Sequence, residues 1–268
     1  MRRRDVLRAG IGATAAGIGL VFVKRLPAWA GDLELIKSGE LSAATEGTFP
    51  PFSIRKPNGD LDGLEMRMMQ EITKRLGLTY KPVIIKWESI LIGLLAGEYD
   101  MSSNAMAITA ERQKKVTFCD AWIESGARLI VTKDSAIKTN ADAKGKRVGV
   151  IVGSTYVKLA EGLGSEVKTY KSDPDAIQDL MNGNIDAVIT DSIAAAYMIT
   201  QNNLPLRMTD DYLDKAQDGW PVKQGKPNLV TAINKTMAAI VADGTYEKLT
   251  KPLIGYNAFP KDPIRSQL

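Results

Sequence analysis

The chain contains no histidine and a single cysteine, Cys119, among its 268 residues. Without histidine there is no Ser-His or Cys-His catalysis and no histidine-bearing metal site. One cysteine cannot close an intramolecular disulfide or build a multi-cysteine zinc or iron–sulfur site, so Cys119 reads as a buried, inert thiol. The Gly-Lys-Ser/Thr phosphate loop is absent as well, which removes the common nucleotide cradle. No metal, nucleotide or covalent cofactor is therefore expected. No run of 18 or more apolar residues occurs, so nothing in the mature chain is expected to span a bilayer as a helix.

The formal charge of +4 points to a polyanion partner only until its position is read. Residues 1–30 hold six of the 35 Lys/Arg and one of the 31 acids, leaving 29 against 30, a net of −1. Nucleic acid thus drops out as a partner. This leader has a basic start, an uncharged run from Ala9 to Val23, and Ala28-Trp29-Ala30, the small-x-small pattern cut by signal peptidases. Its Arg3-Arg4-Asp5-Val6-Leu7-Arg8 is similar to the twin-arginine export signal; an ordinary secretory signal beginning with arginines is the alternative. Residues 1–30 are expected to be a cleaved signal peptide and the mature protein to be periplasmic.

Beyond residue 30, short apolar runs alternate with helical patterns. Leu41 to Thr45 reads as a strand, and Leu64, Met68, Ile72 and Leu76 recur on one helical face that Gly77 should end. Strands are expected at Tyr80–Ile85, Met101 onward, Val148–Val152 and Ala187–Thr190. Helices are expected at Ile90–Ala96, Ser154–Glu161 and from Asp191, and over Leu229–Leu253 with a break at Asp243-Gly244. Asp173-Pro174 should open another helix, with Asp173 as N-cap. The polar stretch Asp210–Asn228 reads as a connector. Such alternation argues for an α/β fold in two lobes with mainly parallel sheets.

Four segments, in order, carry a resemblance. They are Ala44-Thr45-Glu46-Gly47-Thr48-Phe49-Pro50-Pro51-Phe52; Gly63-Leu64-Glu65-Met66-Arg67-Met68; the run from Trp87 through Tyr99-Asp100 and Ile108-Thr109-Ala110-Glu111-Arg112 to Asp120; and Gly149–Thr155 with Gly183–Asp191 behind it. Together with the closing Gly244–Leu249 they resemble the amino-acid-binding family of periplasmic solute-binding proteins over nearly all of residues 41–255. One departure is Arg67, where an acid is usual. The resemblance implies two α/β lobes joined by two hinge strands, lobe one spanning 32–123 plus 219–268 and lobe two 124–218. It also implies a ligand in the cleft between them, an ABC-type membrane permease as partner, and a monomer.

By the same resemblance Arg112 grips the ligand's carboxylate, as a guanidinium can do bidentately. Asp191, at a strand-to-helix junction, takes the α-ammonium, although a helix N-cap is the commoner use of such an Asp. Ser154 and Thr155 hold the carboxylate from lobe two, and Phe49 and Trp87 enclose the side chain. Glu46 stands where binders of basic amino acids place an acid. Arg112 and Asp191 would neutralise a zwitterion, leaving Glu46 for a positive side chain unless it is solvated, protonated or paired with Lys86. Family members often carry a hydroxyl at the position of Ala107; here Ala107 and Ala105 offer only backbone, and Asn104 is the candidate for a side-chain contact instead. That departure admits ligands other than standard amino acids, such as opines or compatible solutes.

The expected mechanism is hinge closure on a polar or cationic amino acid, without catalysis. Two rivals share the fold. Periplasmic cyclohexadienyl dehydratases act on prephenate or arogenate, with Glu46 as a conceivable general acid. A ligand-sensing module would instead signal to a membrane receptor.

Overall fold

A computed structural model describes residues 33–268; the expected signal peptide lies outside the described residues. The chain begins with β1 (Glu40–Thr45), a small antiparallel meander β2 (Thr48–Phe49), β3 (Ser53–Arg55) and β4 (Leu61–Asp62), and then α1 (Leu64–Leu76). Leu64, Met68, Ile72 and Leu76 are each at most 1% exposed, and Gly77 closes the helix in the left-handed conformation at φ 70°. Next come β5 (Thr79–Ile84), α2 (Trp87–Ala96), β6 (Met101–Ser102), β7 (Met106–Ala107), α3 (Ala110–Gln113) and β8 (Val116–Phe118).

The second segment contains β9 (Ile123–Thr132), β10 (Arg147–Ile151), α4 (Tyr156–Gly162), β11 (Glu166–Tyr170), α5 (Asp173–Met181), β12 (Ala187–Asp191), α6 (Ser192–Gln201), β13 (Leu206–Met208) and β14 (Asp214–Gly219). The chain returns through β15 (Pro221–Lys223) and ends with α7 (Pro227–Ala242) and α8 (Thr245–Ile254), broken at Asp243-Gly244 as the sequence indicates.

Two sheets organise these elements. The first runs β5-β1-β6-β15-β8, the second β11-β10-β12-β9-β14-β7. Each has a parallel heart, β5-β1-β6 and β11-β10-β12, extended by antiparallel strands that carry the chain out and back. β1 and β12 are buried along nearly their whole length, as central parallel strands are. Alternation along β1 sends Leu41 and Ala43 to the side packed by α1 and α7, and Ala44 to the side packed by α2.

The stretch 210–228 is not the featureless connector its composition implies. β14 and β15 lie within it, and β14 pairs with β9 from Asp214↔Ala127 to Asp218↔Ile123. Backbone pairing to a long neighbour holds β14, so its polar side chains never produce an apolar alternation. Besides the short excursion through β7, the chain passes between the sheets at Cys119–Trp122 and again at Trp220. There the two buried indoles stack with centroids 4.9 Å apart, and Cys119 N–H donates to the Trp220 carbonyl.

Candidate functional site

The parallel strands β1, β10 and β12 deliver their C-terminal ends to one crevice, the place where open α/β sheets hold ligands. A cavity partly open to solvent lies there. Glu46, Phe49, Trp87, Ala105, Ala107 and Arg112 line it from the first segment of the chain, and Ser154, Thr155 and Asp191 from the second. Nine of the ten candidate residues therefore meet around one space. Asn104 does not: it is fully buried outside the lining, with both side-chain polar atoms lacking a hydrogen-bond partner among the described residues. The tight β6-to-β7 passage turns it into the wall.

Arg112 is held from three sides. Its Nη1 donates to the Ala107 carbonyl at 2.9 Å, its guanidinium lies 5.5 Å from the centre of the Trp87 ring, and its backbone N–H is capped by the Thr109 hydroxyl. Burial lowers its pKa, opposed by the nearby Asp218 carboxylate. Asp218 is one of the residues that sequence reasoning missed. β14 pairs with β7 in the register Asp218↔Ala107, which sets the two side chains beside each other. The polar group that Ala107 lacks is thus offered by the neighbouring strand.

Asp191 combines two tasks. It caps α6, with Oδ1 accepting the N–H groups of Ile193 and Ala194 at 2.8 and 3.2 Å, while Oδ2 accepts from the Ser125 hydroxyl; it also lines the cavity. Burial raises its carboxyl to about 6 against the pull of these donors. Burial also raises Asp218, to about 8, reinforced by Asp191 and opposed by Arg112.

Helix α4 begins at Tyr156, two residues later than its sequence implies, leaving Ser154 and Thr155 in the preceding turn. Gly153 sits at φ 74° there, where a Cβ would stand about 4 Å from Trp87 and Glu88 of the facing wall. The Ser154 hydroxyl is engaged with the Ile151 carbonyl at 2.7 Å. Tyr156, also missed, lines the cavity within the field of Asp191, Asp218, Asp173 and Arg112, and burial drives its phenol far above its ordinary pKa.

The α5 expectation also needs correction. Ser172, not Asp173, is the N-cap, accepting from the Asp175 N–H, with Pro174 in the first turn. Serine in the preceding position has the short hydroxyl that reaches back to the helix, which frees Asp173 to line the cavity. Burial raises Asp173 to about 7, against the pull of the Thr190 hydroxyl and with the Asp191 charge adding to it. Glu46, raised to about 8 by burial and then by Asp173, accepts from the Thr48 hydroxyl at 3.4 Å and forms no ion pair with Lys86.

Two signature residues act behind the wall. Glu65 is fully buried and accepts the Ala105 N–H at 2.8 Å and the Thr45 hydroxyl at 3.3 Å, fixing the backbone beside Glu46. Arg67, the departure from pattern, pairs with Asp62 at 2.9 Å and holds that carboxyl well below its usual range.

A two-sheet α/β scaffold with a charged crevice between its sheets defines a ligand-binding protein of the two-lobed class. The chain belongs to the bacterial extracellular solute-binding proteins, family 3, whose model matches residues 41–255. It is 34% identical to the L-cystine-binding protein TcyJ of Escherichia coli (strain K12), over 81% of this chain and 83% of that protein. Among solved structures, an ancestral arginine-binding protein bound to glutamine superimposes with a TM-score of 0.78 at 33% identity, covering 82% of this chain and all of that one. The ancestral amino-acid-binding protein AncCDT-1, a precursor of cyclohexadienyl dehydratase, does so at 0.76 and 30%, covering 81% of this chain and 96% of that one.

Proposed function

We propose that the protein is exported to the periplasm behind the signal peptide 1–30, by the twin-arginine route. There it captures an amino-acid solute as a monomer by hinge closure and hands it to an ABC-type permease. The observation that carries this reading is the union, in one crevice, of a buried guanidinium from one wall and a pre-anchored carboxylate from the other, Arg112 and Asp191. An α-amino-acid zwitterion needs both, and neither has an ion-pair partner among the described residues to displace. Lobe one is taken as 32–123 with 219–268 and lobe two as 124–218, so that closing the lobes brings Ser154, Thr155 and Asp191 onto a ligand first held by Arg112, Phe49 and Trp87. Ala105 and Ala107 contribute backbone, and Asp218 the polar side chain beside Ala107. A ligand bridging the walls favours the closed form because only that form offers both sets of contacts.

The test is a thermal-shift screen of the purified protein, unfolded and refolded to strip bound ligand. The panel holds the common amino acids, cystine, opines, betaines and prephenate. A ligand at a hundred times its Kd adds about 2.7 kcal/mol of stability, enough to move Tm by several degrees. A selective shift with one or a few amino acids is expected. Failure of every amino acid to shift Tm, with a shift from a betaine or an opine, overturns the reading. The dehydratase reading has one observation in its favour: Glu46, with its carboxyl near 8, would enter the reaction protonated, as a general acid must. Phenylpyruvate formed from prephenate would establish it.

A further inference from the structure

A second concavity lies outside the cleft and shares no lining residue with it. One wall is a face of α6, on which Ile193, Ala196 and Tyr197 recur at helical spacing. The other is the end of α8, with Leu253 and Ile254, and with Tyr256 just past Gly255, which closes the helix at φ 83°. Arg128 and Tyr212 enter the same lining. Strand β9 separates the two spaces: Ala127 lines the cleft and Arg128 the groove, because successive strand residues face opposite ways.

Arg128 is the only charged residue in the groove lining among the described residues. It is held but not neutralised. One Nη donates to the Thr209 carbonyl, and the guanidinium lies 5.2 Å from the centre of the Tyr212 ring. Its Nε is buried with no acceptor, and Arg128 enters none of the ion pairs among the described residues. Asp210 and Asp211, next to Tyr212 in the chain, are exposed and do not pair with it. The Lys215 ammonium, 5.5 Å from the centre of the same Tyr212 ring, adds a second positive charge nearby. Tyr212 is seated by Gly126: a Cβ there would stand 2.7 Å from the ring, so only glycine lets the ring lie on β9.

A guanidinium without a counter-ion favours an anion, and its fork of donors matches a carboxylate. Tyr212 and Tyr256 keep 44% and 51% of their surface exposed, beside Ile193, Leu253 and Ile254, so the rest of the groove offers contact to an apolar or aromatic body. The lining has no acid to receive an α-ammonium, which makes it a poor place for an amino acid. We propose that this groove is an accessory site for an aryl carboxylate, a flat ring carrying one carboxylate and no ammonium. The carboxylate would lie on Arg128 and the ring against Tyr212 and Tyr256. The site stands apart from the amino-acid reading of the cleft, and its occupant would join α6 to the end of α8.

Calorimetric titration of the purified, refolded protein with phenylacetate tests this, with neutral phenylacetamide and ringless acetate as controls. Phenylacetate is expected to bind with a Kd below about 1 mM, and each control at least about tenfold more weakly. Arg128→Gln should erase the preference for phenylacetate over phenylacetamide. Because that change also removes the contact to Thr209, Ala196→Trp provides a second variant: it places a large side chain in the groove from an exposed position on α6 and should abolish binding. Arg112→Ala should leave phenylacetate affinity within about twofold. A loss there would put the acid in the cleft and overturn the proposal. Equal binding of phenylacetate and phenylacetamide, or no binding of either, overturns it too. Self-association that Ala196→Trp abolishes, with no phenylacetate bound, would give the groove to a second copy of the chain instead.

Discussion

The carboxylates of the cleft hold buried charge in two opposite ways. Asp191 is solvated by the protein itself, through the Ser125 hydroxyl and two backbone N–H groups, and its carboxyl rises only to about 6. Asp173 and Glu46 are left almost bare and rise to about 7 and 8. A carboxylate already supplied with donors is ionised and ready for any ammonium. One without donors becomes ionised when the ligand brings the charge. On the proposed reading, Asp191 is thus preorganised for the ammonium that all amino acids share, and the bare carboxylates are conditional on what the ligand brings.

The largest effect should come from Arg112→Ala. Losing the guanidinium is expected to weaken binding by about 2–5 kcal/mol, equally for cationic and neutral amino acids, because Arg112 serves the carboxylate that all of them share. Calorimetry on both ligand types checks this, and unchanged affinity removes Arg112 from the site. Asp191→Asn should come second, at about 2 kcal/mol or more. Asn caps helices about as well as Asp, so Tm of the empty variant should hardly move while affinity falls. A matching fall in Tm would instead make Asp191 mainly a cap.

The bare carboxylates also set a pH dependence. Glu46, Asp173 and Asp218 have folded-state pKa values raised above those of unfolded carboxylates, to about 8, 7 and 8. Between about pH 4 and pH 8 the empty folded protein therefore binds more protons than the unfolded chain, and its stability falls as pH rises. Asp62 and Asp243, held low by Arg67 and Arg75, act oppositely, but only below their unfolded range, near about pH 4. Tm of the empty protein should consequently decline from pH 5 to pH 8. A saturating ligand that carries a cation on its side chain should flatten that decline, because its charge favours the ionised forms of Glu46 and Asp173, and its binding should release protons and tighten as pH rises. Calorimetry in buffers of different ionisation enthalpy reads the released protons. A Tm that climbs from pH 5 to pH 8 would show that these carboxylates are solvated in the empty cleft.

Much of this was legible before the fold was known, and the boundary is physical. The α1 face, its glycine stop and the break at Asp243-Gly244 are local signals, carried by residues within a turn or two of one another. Arg112, Ser154, Thr155 and Asp191, which all line the cavity, could be singled out because each stands within a recognisable run. Asp218, Tyr156 and Asp173 could not. Asp218 gains its place from the register of β14 against β7, and Asp173 gains its freedom from a cap shifted by one residue to Ser172. Neither relation has a spacing that can be counted along the chain. Asn104 shows the converse: its amide suits a ligand, but the chain between β6 and β7 buries it outside the cavity lining.

The smallest effect should come from the mouth of the cleft, where Lys158 of α4 reaches Glu111 of α3 at 2.8 Å. Their side chains are 72% and 75% exposed, so water and salt screen the pair strongly. Lys158→Ala should weaken binding by less than about fivefold, mainly through faster dissociation, and about 0.5 M salt should erase the difference. Since neither residue lines the cavity, arginine and its neutral analogue citrulline should lose affinity by the same factor. That equality makes the variant a control for closure itself: it changes the stability of the shut form without touching what the ligand meets inside. Stopped-flow dissociation of both ligands gives the comparison. If only the cationic ligand were affected, the distal charge would be read at the mouth, and the contrast between Asp191 and the bare carboxylates would have to be redrawn.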